Sequence, residues 1–188
     1  MSTKQENFCA DLSEDTNILV RQYKDTDFQA IASIYNESIV AGNSTMDCQF
    51  YTAEDMEVLA NKFGDRETIL VAERESCVIG WGVIKRYSPR LGYRVCCEIS
   101  IYFSLAETGK GYGSILQTAL LKKVEEFCYH HVVAKILACN QGSIDFHKRF
   151  GFEVVGVQKE IGFFKGRWHD MVIMQLVLSH ILPYCPEL

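Results

Sequence analysis

Three glycines that alternate through one turn, Gly109, Gly111 and Gly113, constrain this chain more than any other stretch of it. They follow an alternating, strand-like segment, Glu98-Ile99-Ser100-Ile101-Tyr102-Phe103, and they open an apolar helical segment over residues 115–121. Glycines at a strand-to-helix junction let the backbone approach a ligand closely and adopt dihedrals closed to other residues. The free N–H groups and the positive dipole end of the new helix then make a site for an anion, usually phosphate. The spacing excludes two other phosphate loops. A P-loop needs a longer spacer before its Gly-Lys-Ser/Thr, and a dinucleotide fingerprint needs a glycine where this chain has Leu116. Read alone, the segment fits either an anion cradle or a merely tight turn.

The rest of the chain reads as one mixed α/β domain. At 188 residues, with 48% hydrophobic and 23% charged residues, it can bury a full core. Strands are predicted over residues 17–23, 68–73, 78–84, from about Arg94 to Phe103, 132–138, 152–159 and 172–178. Asp25 and Thr26 can cap a helix running to about Val40, with Phe28, Ile31, Ile34, Tyr35 and Ile39 at helical spacing. A polar loop fills residues 41–51, and Thr52 starts a second helix with Glu54 and Asp55 in its first turn. Residues 88–92 are a turn, and residues 141–150 form a short helix that Gly151 ends. The domain is expected over residues 17–179, between tails at 1–16 and 180–188.

The net charge of −5 argues against nucleic acid or an anionic membrane as a partner. Residues 1–15 are polar and acidic with no apolar h-region, and no run reaches the ~20 apolar residues of a membrane span. A cytoplasmic protein is expected. The eight cysteines include no C-x-x-C pair, so free thiols acting as small hydrophobes are expected. Cys96 and Cys97, adjacent on a strand, face opposite sides of the sheet. Cys128 with His130 and His131 lacks a second spaced pair, and no metal is expected.

Several segments, in order, resemble the GNAT superfamily of N-acetyltransferases, in its phosphinothricin and methionine sulfoximine acetyltransferase-like branch. Ile34-Tyr35-Asn36-Glu37 with Ser44-Thr45 resembles the first helix and following loop. Pro89-Arg90-Leu91-Gly92-Tyr93-Arg94, and then Glu98-Ile99-Ser100-Ile101-Tyr102, is similar to a substrate turn and central strand. Gly109-Lys110-Gly111-Tyr112-Gly113 resembles the acyl-CoA pyrophosphate loop, although Thr108 stands where Arg or Gln is usual. Asn140 to Phe152 resembles the late helix, and Gly166-Arg167-Trp168-His169-Asp170 with Met174-Gln175-Leu176 the C-terminal strands. The resemblance spans about residues 18–178. It implies a GNAT fold, with a central mixed, mostly antiparallel sheet of about seven strands flanked by helices. It also implies acetyl-CoA as cosubstrate, a small amino-acid-like amine as acceptor, and a homodimer whose C-terminal region borders the second subunit's site.

The resemblance also implies site residues. Pantetheine would lie along Ile101, Tyr102 and Phe103, and the pyrophosphate on Gly109, Lys110, Gly111, Tyr112, Gly113 and Ser114. Ile101 and Phe103 can serve the core at the same time. Glu98 is the candidate general base. A carboxylate between Cys97 and Ile99 is costly to bury unless it is paired or its pKa rises, and a raised pKa suits a base near neutral pH. It could equally be a solvated edge residue or a partner of Arg94. His147 could protonate the departing thiolate or pack its helix. Asn140 could cap that helix or bond the cofactor, and Arg149 could meet phosphate or solvent. Arg90, Leu91 and Tyr93 are candidate acceptor contacts, the guanidinium suiting a carboxylate or phosphinate. Phe164 and Trp168 read as packing residues. A non-catalytic acyl-CoA sensor is the alternative reading, with Thr108 pointing to it and intact Glu98 and His147 pointing away.

Overall fold

The computed structural model describes residues 17–184. The expected tail 1–16, the last residues of the expected tail 180–188, and Cys9 and Cys185 lie outside the described residues. In chain order the elements are β1 (Ile18–Gln22), α1 (Phe28–Ala41), α2 (Ala53–Ala60), β2 (Thr68–Arg74), β3 (Cys77–Arg86), β4 (Cys96–Phe103), α3 (Tyr112–Glu126), β5 (His131–Leu137), α4 (Gln141–Arg149), β6 (Glu153–Phe164) and β7 (Arg167–Val177). The strands form one seven-stranded sheet in the order β1-β2-β3-β4-β5-β7-β6. Every neighbouring pair is antiparallel except β4–β5.

The apolar pattern explains the three layers. Ile31, Ile34, Phe28 and Met56 of α1 and α2 bury against Ile69, Val71, Trp81 and Val83 on one face of the sheet. Leu116, Leu120 and Val124 of α3, with Ile144 of α4, bury against Leu70, Ala72, Ile99, Val132 and Met174 on the other. Strands covered on both faces read as continuous apolar runs, as residues 69–72 do.

Some boundaries differ from expectation. Residues 25–27 form a 3-10 turn and α1 begins at Phe28, because the Asp27 carboxylate is taken by Arg21 (2.6 and 3.0 Å) and the Lys24 N–H (2.7 Å). Thr52 does cap α2, in a reciprocal box with Asp55. The last hairpin is far longer than its turn-like residues suggest. Lys165 and Gly166, at φ 48° and 73°, make a two-residue reversal. An irregularity between Gln158 and Gly162 is absorbed by Glu160 at φ 52°, whose N–H donates to the Asp170 carboxylate (2.8 Å). Cys48, Cys77, Cys96, Cys97, Cys128 and Cys139 are free, but only Cys96 and Cys97 are buried, so the small-hydrophobe role holds for those two.

One feature of the sheet positions the site. β4 and β5 pair at Cys96↔His131, Cys97↔Val132 and Glu98↔Val133, and their pairing stops there. Both strands continue, β4 to Phe103 and β5 to Leu137. The sheet is forked from Glu98 onward, and the β4 backbone on that side is open for another extended chain.

Candidate active site

The glycine turn lies at the open end of the fork. Gly109 and Gly111 sit at φ 77° and 85°, in the left-handed region that favours glycine. A Cβ on either would meet nothing within 4 Å, so the turn presents its amides to open space. Gly111 is the N-cap of α3, with no side chain capping it, which leaves first-turn N–H groups for a ligand. Glu107 braces the turn: it pairs with Arg74 (3.2 Å) and Lys110 (3.1 Å), and Arg74 also donates to the Tyr112 hydroxyl (3.0 Å). Thr108 spends its hydroxyl on the Leu105 carbonyl (2.9 Å), closing the turn that leads into the glycines.

A cavity of about 600 Å³ joins this turn to β4 and α4. Gly109, Gly111, Tyr112, Gly113 and Ser114 line it, as do Ile101, Tyr102 and Phe103 and, from α4, Asn140 and Arg149. Ten of the eleven residues expected to hold the cofactor therefore share one cleft. The exception is Lys110, which does not line the cavity and whose ammonium is held by Glu107. Asn140 does cap α4, accepting the Ser143 N–H at 3.1 Å, and its amide reaches the Ser44 hydroxyl at 3.5 Å. Arg149 rests over the Phe146 ring at 5.6 Å.

Glu98 occupies the last position at which β4 pairs with β5, with its side chain 20% exposed and Lys135 Nζ 2.7 Å from its carboxylate. Burial is thus answered by an ion pair with Lys135. Arg94 instead donates to the carbonyls of Tyr184 (2.7 Å) and Leu91 (3.3 Å). Lys85 is the cross-strand neighbour of Glu98 on β3. Lys135 also lies 5.7 Å over the Tyr87 ring, which packs on Tyr93 at 5.6 Å. Tyr93 is linked to Glu98 through that chain of contacts. Arg90 and Leu91 line a separate cavity of about 230 Å³ with Arg66, Tyr129 and Tyr184.

His147 is 3% exposed and packs edge-on against Phe146 and Phe152. Its Nδ1–H donates to the Ser143 carbonyl (2.8 Å), which leaves Nε2 as the free position of the neutral ring. Burial holds its pKa below the usual imidazole range. It lines the inner pocket of the fork with Ser100, Lys135 and Asn140. Phe164 is buried and stacks on His169 at 3.8 Å, whereas Trp168 is exposed and touches Phe163.

Three consecutive α1 residues, Tyr35, Asn36 and Glu37, tie the site together. The Tyr35 hydroxyl donates to Asp47 (2.6 Å) and bonds Thr45 (2.8 Å). Asn36 exchanges two hydrogen bonds with the Tyr51 backbone (2.8 and 2.9 Å). Glu37 accepts the Leu105 N–H (2.7 Å) and the Ser104 hydroxyl (3.1 Å) just past β4. Burial raises the Tyr35 phenol pKa and pushes that of Tyr102, stacked edge-on against it at 4.9 Å, up to about 12. Sequence reasoning missed Lys135 and Asp47 altogether, because each acts on a residue from another element.

Known proteins share this architecture. A family model described as an acetyltransferase (GNAT) domain matches residues 20–173. Phosphinothricin N-acetyltransferase of Alcaligenes faecalis is 32% identical over 162 residues, 85% of this chain and 82% of that protein. The L-methionine sulfoximine/L-methionine sulfone acetyltransferase of Pseudomonas aeruginosa is 34% identical over 161 residues, 81% of this chain and 90% of that protein. Among solved structures, a GNAT superfamily phosphinothricin acetyltransferase from Sinorhizobium meliloti in complex with acetyl-CoA superposes with a TM-score of 0.83. It is 29% identical, over 91% of this chain and 94% of that one. The open amides of Gly109 and Gly111, the uncapped α3 and the unpaired β4 edge fit acetyl-CoA. The chain belongs to the acetyltransferase (GNAT) family and is an N-acetyltransferase with acetyl-CoA as its acyl donor.

Proposed function

We propose that the acceptor is the α-amine of a small amino-acid-like molecule and that Glu98 is its general base. The observation that carries this reading is the Glu98 carboxylate at the mouth of the fork, where β4 leaves β5. The names of the relatives above support the acceptor class, since they act on phosphinothricin and methionine sulfoximine or sulfone.

Bound acetyl-CoA supplies an activated acyl carbonyl on a good leaving group. The chain supplies the rest. Residues 109–113 offer main-chain N–H groups to the diphosphate, whereas the Ser114 N–H is bonded to the Gly111 carbonyl (3.0 Å), and Arg149 and Asn140 line the same cleft. The open backbone of residues 101–103 holds the pantetheine arm as an added strand. Glu98 takes the ammonium proton, directly or through one water, so that the amine can attack. His147 can donate to the leaving thiolate only once Nε2 has taken up a proton, because Nδ1–H is committed to Ser143 and the neutral ring carries a lone pair at Nε2. The burial that lowers its pKa disfavours that charged ring at rest and makes it a stronger acid once formed. Of the three candidate acceptor contacts, Tyr93 is the one tied to Glu98, through Tyr87 and Lys135; Arg90 and Leu91 are proposed to reach an acceptor only across a dimer. The homodimer is part of this proposal, as is a cytoplasmic location, which the exposed free thiols of Cys48, Cys77, Cys128 and Cys139 support. Among the described residues no helix is long and apolar enough to cross a membrane, and no group of three His, Cys, Asp or Glu could hold a metal ion.

The test is acetyl-CoA consumption against a panel of amino acids and phosphinates, with products read by mass spectrometry. Glu98→Gln is expected to bind acetyl-CoA as the parent does and to turn over roughly 10²–10⁴-fold more slowly. Parental turnover in that variant would remove Glu98 from the mechanism.

A further inference from the structure

We propose that Lys135 is the specificity-determining residue that reads the α-carboxylate of a zwitterionic acceptor while Glu98 takes its ammonium. The inference rests on the acceptor reading above and adds a residue that none of its motifs contains. Lys135 projects from β5 across the fork, its ammonium 2.7 Å from the Glu98 carboxylate. It lines the inner pocket of the fork, beside Ser100, Asn140, Ser143 and His147. The Tyr87 ring, 5.7 Å away, gives the ammonium a second contact that holds it near the mouth.

The base is therefore already paired with a protein ammonium, and an incoming ammonium must displace it. For a simple amine the exchange is unbalanced. Glu98 gains a new cation, Lys135 loses its anion, and a partly covered charge is left unpaired. An α-amino acid carries its carboxylate on the carbon next to its ammonium. Inserted between the two side chains, it offers Glu98 a cation and Lys135 an anion, so each trades one partner for another. Arg90 is not placed to do this within one protomer, since it lines the other cavity. The Lys135 side chain is 42% exposed, so water offsets part of the lost pairing and the discrimination is moderate.

The experiment compares L-methionine sulfone with its α-carboxamide, which keeps the amine and loses the negative charge. The parent enzyme is expected to favour the acid by roughly 10–100-fold in kcat/KM, the size of one partly exposed charge contact, with the difference mainly in KM. Lys135→Met should bring the two compounds to within about 3-fold of each other, and Lys135→Arg should restore most of the preference. Calorimetric binding of acetyl-CoA to each variant checks the fold, since Lys135 lies off the glycine turn. If Lys135→Met slows both compounds equally, Lys135 only holds Glu98 and the inference is wrong; it is equally wrong if the acid preference survives. A parent enzyme that acetylates neither these compounds nor any amino acid in the panel overturns the acceptor reading itself, and the inference with it.

Discussion

His147 shows how a single buried side chain couples fold to pH. Its Nδ1–H is bonded to Ser143 and its ring is enclosed by Phe146 and Phe152, so burial depresses the folded pKa below the unfolded value of about 6.5. Above that value the ring is neutral in both states and costs nothing. As pH falls below it, the unfolded chain takes a proton that the buried ring refuses, and folding loses stability. His147→Gln should therefore be less stable than the parent at pH 7.5, by about 1–2 kcal/mol from the lost bond and packing. The gap should narrow toward pH 5, because the variant no longer carries the proton penalty. Urea unfolding across that range measures it, and a gap that widens with acid would contradict the assignment. His131 is shifted the same way by its own burial, but it is present in both proteins and cancels. At this scale the sequence was informative about the anomaly and silent about its answer. A carboxylate between Cys97 and Ile99 was visible as a residue needing a partner; that the partner is Lys135 depends on a parallel pairing that no local pattern encodes.

The strand–turn–helix unit was legible as an element because its glycines are local instructions. Gly111 at φ 85° both turns the chain and caps α3. Gly111→Ala places a methyl where the protein itself has nothing within 4 Å, so the folding cost is mainly that of a left-handed alanine, about 1–2 kcal/mol. In the proposed binding mode the methyl instead occupies space the diphosphate needs. Calorimetry should find acetyl-CoA binding at least about tenfold weaker, more than the loss of one neutral hydrogen bond, while the variant stays folded at 25 °C. Unchanged affinity would mean that the diphosphate lies elsewhere. Elements defined by tertiary partners were read less well. β6 and β7 looked short because Gly162, Lys165 and Gly166 resemble a loop, and only Asp170, holding the Glu160 N–H and Lys159, lets one long hairpin run through them. The fork was equally hidden, and so were the partners of Tyr35, Asn36 and Glu37, although the triplet itself stood out, since each gains its meaning from the segment it faces.

For the whole molecule, the unresolved demand is the outer hairpin. β6 closes the sheet as an edge strand, and an edge with free backbone groups is ordinarily blunted or covered. Here it carries Val154, Val155, Val157, Ile161 and Phe163, exposed between 44% and 61%, with Trp168 of β7 at 60%. Phe163 and Trp168 are cross-strand partners with rings 5.0 Å apart, so they stand together on one face. Exposed apolar side chains gathered on one edge hairpin, with Phe163 and Trp168 in contact, point to a protein–protein contact. The interior gives these side chains no reason to be apolar, because both cores are complete without them. A second copy of the chain is the proposed cover. Sedimentation equilibrium should therefore find the parent dimeric at micromolar concentration and Phe163→Glu/Trp168→Glu monomeric. Loss of the aromatic pair and two facing carboxylates cost the folded monomer about 1–2 kcal/mol, so circular dichroism of the variant checks that it stays folded. If a dimer is what brings Arg90 to a neighbouring acceptor, the monomeric variant should keep its acetyl-CoA affinity and lose acceptor kcat/KM. A parent that sediments as a monomer, or a charged variant that still pairs, would assign the apolar hairpin to some other surface.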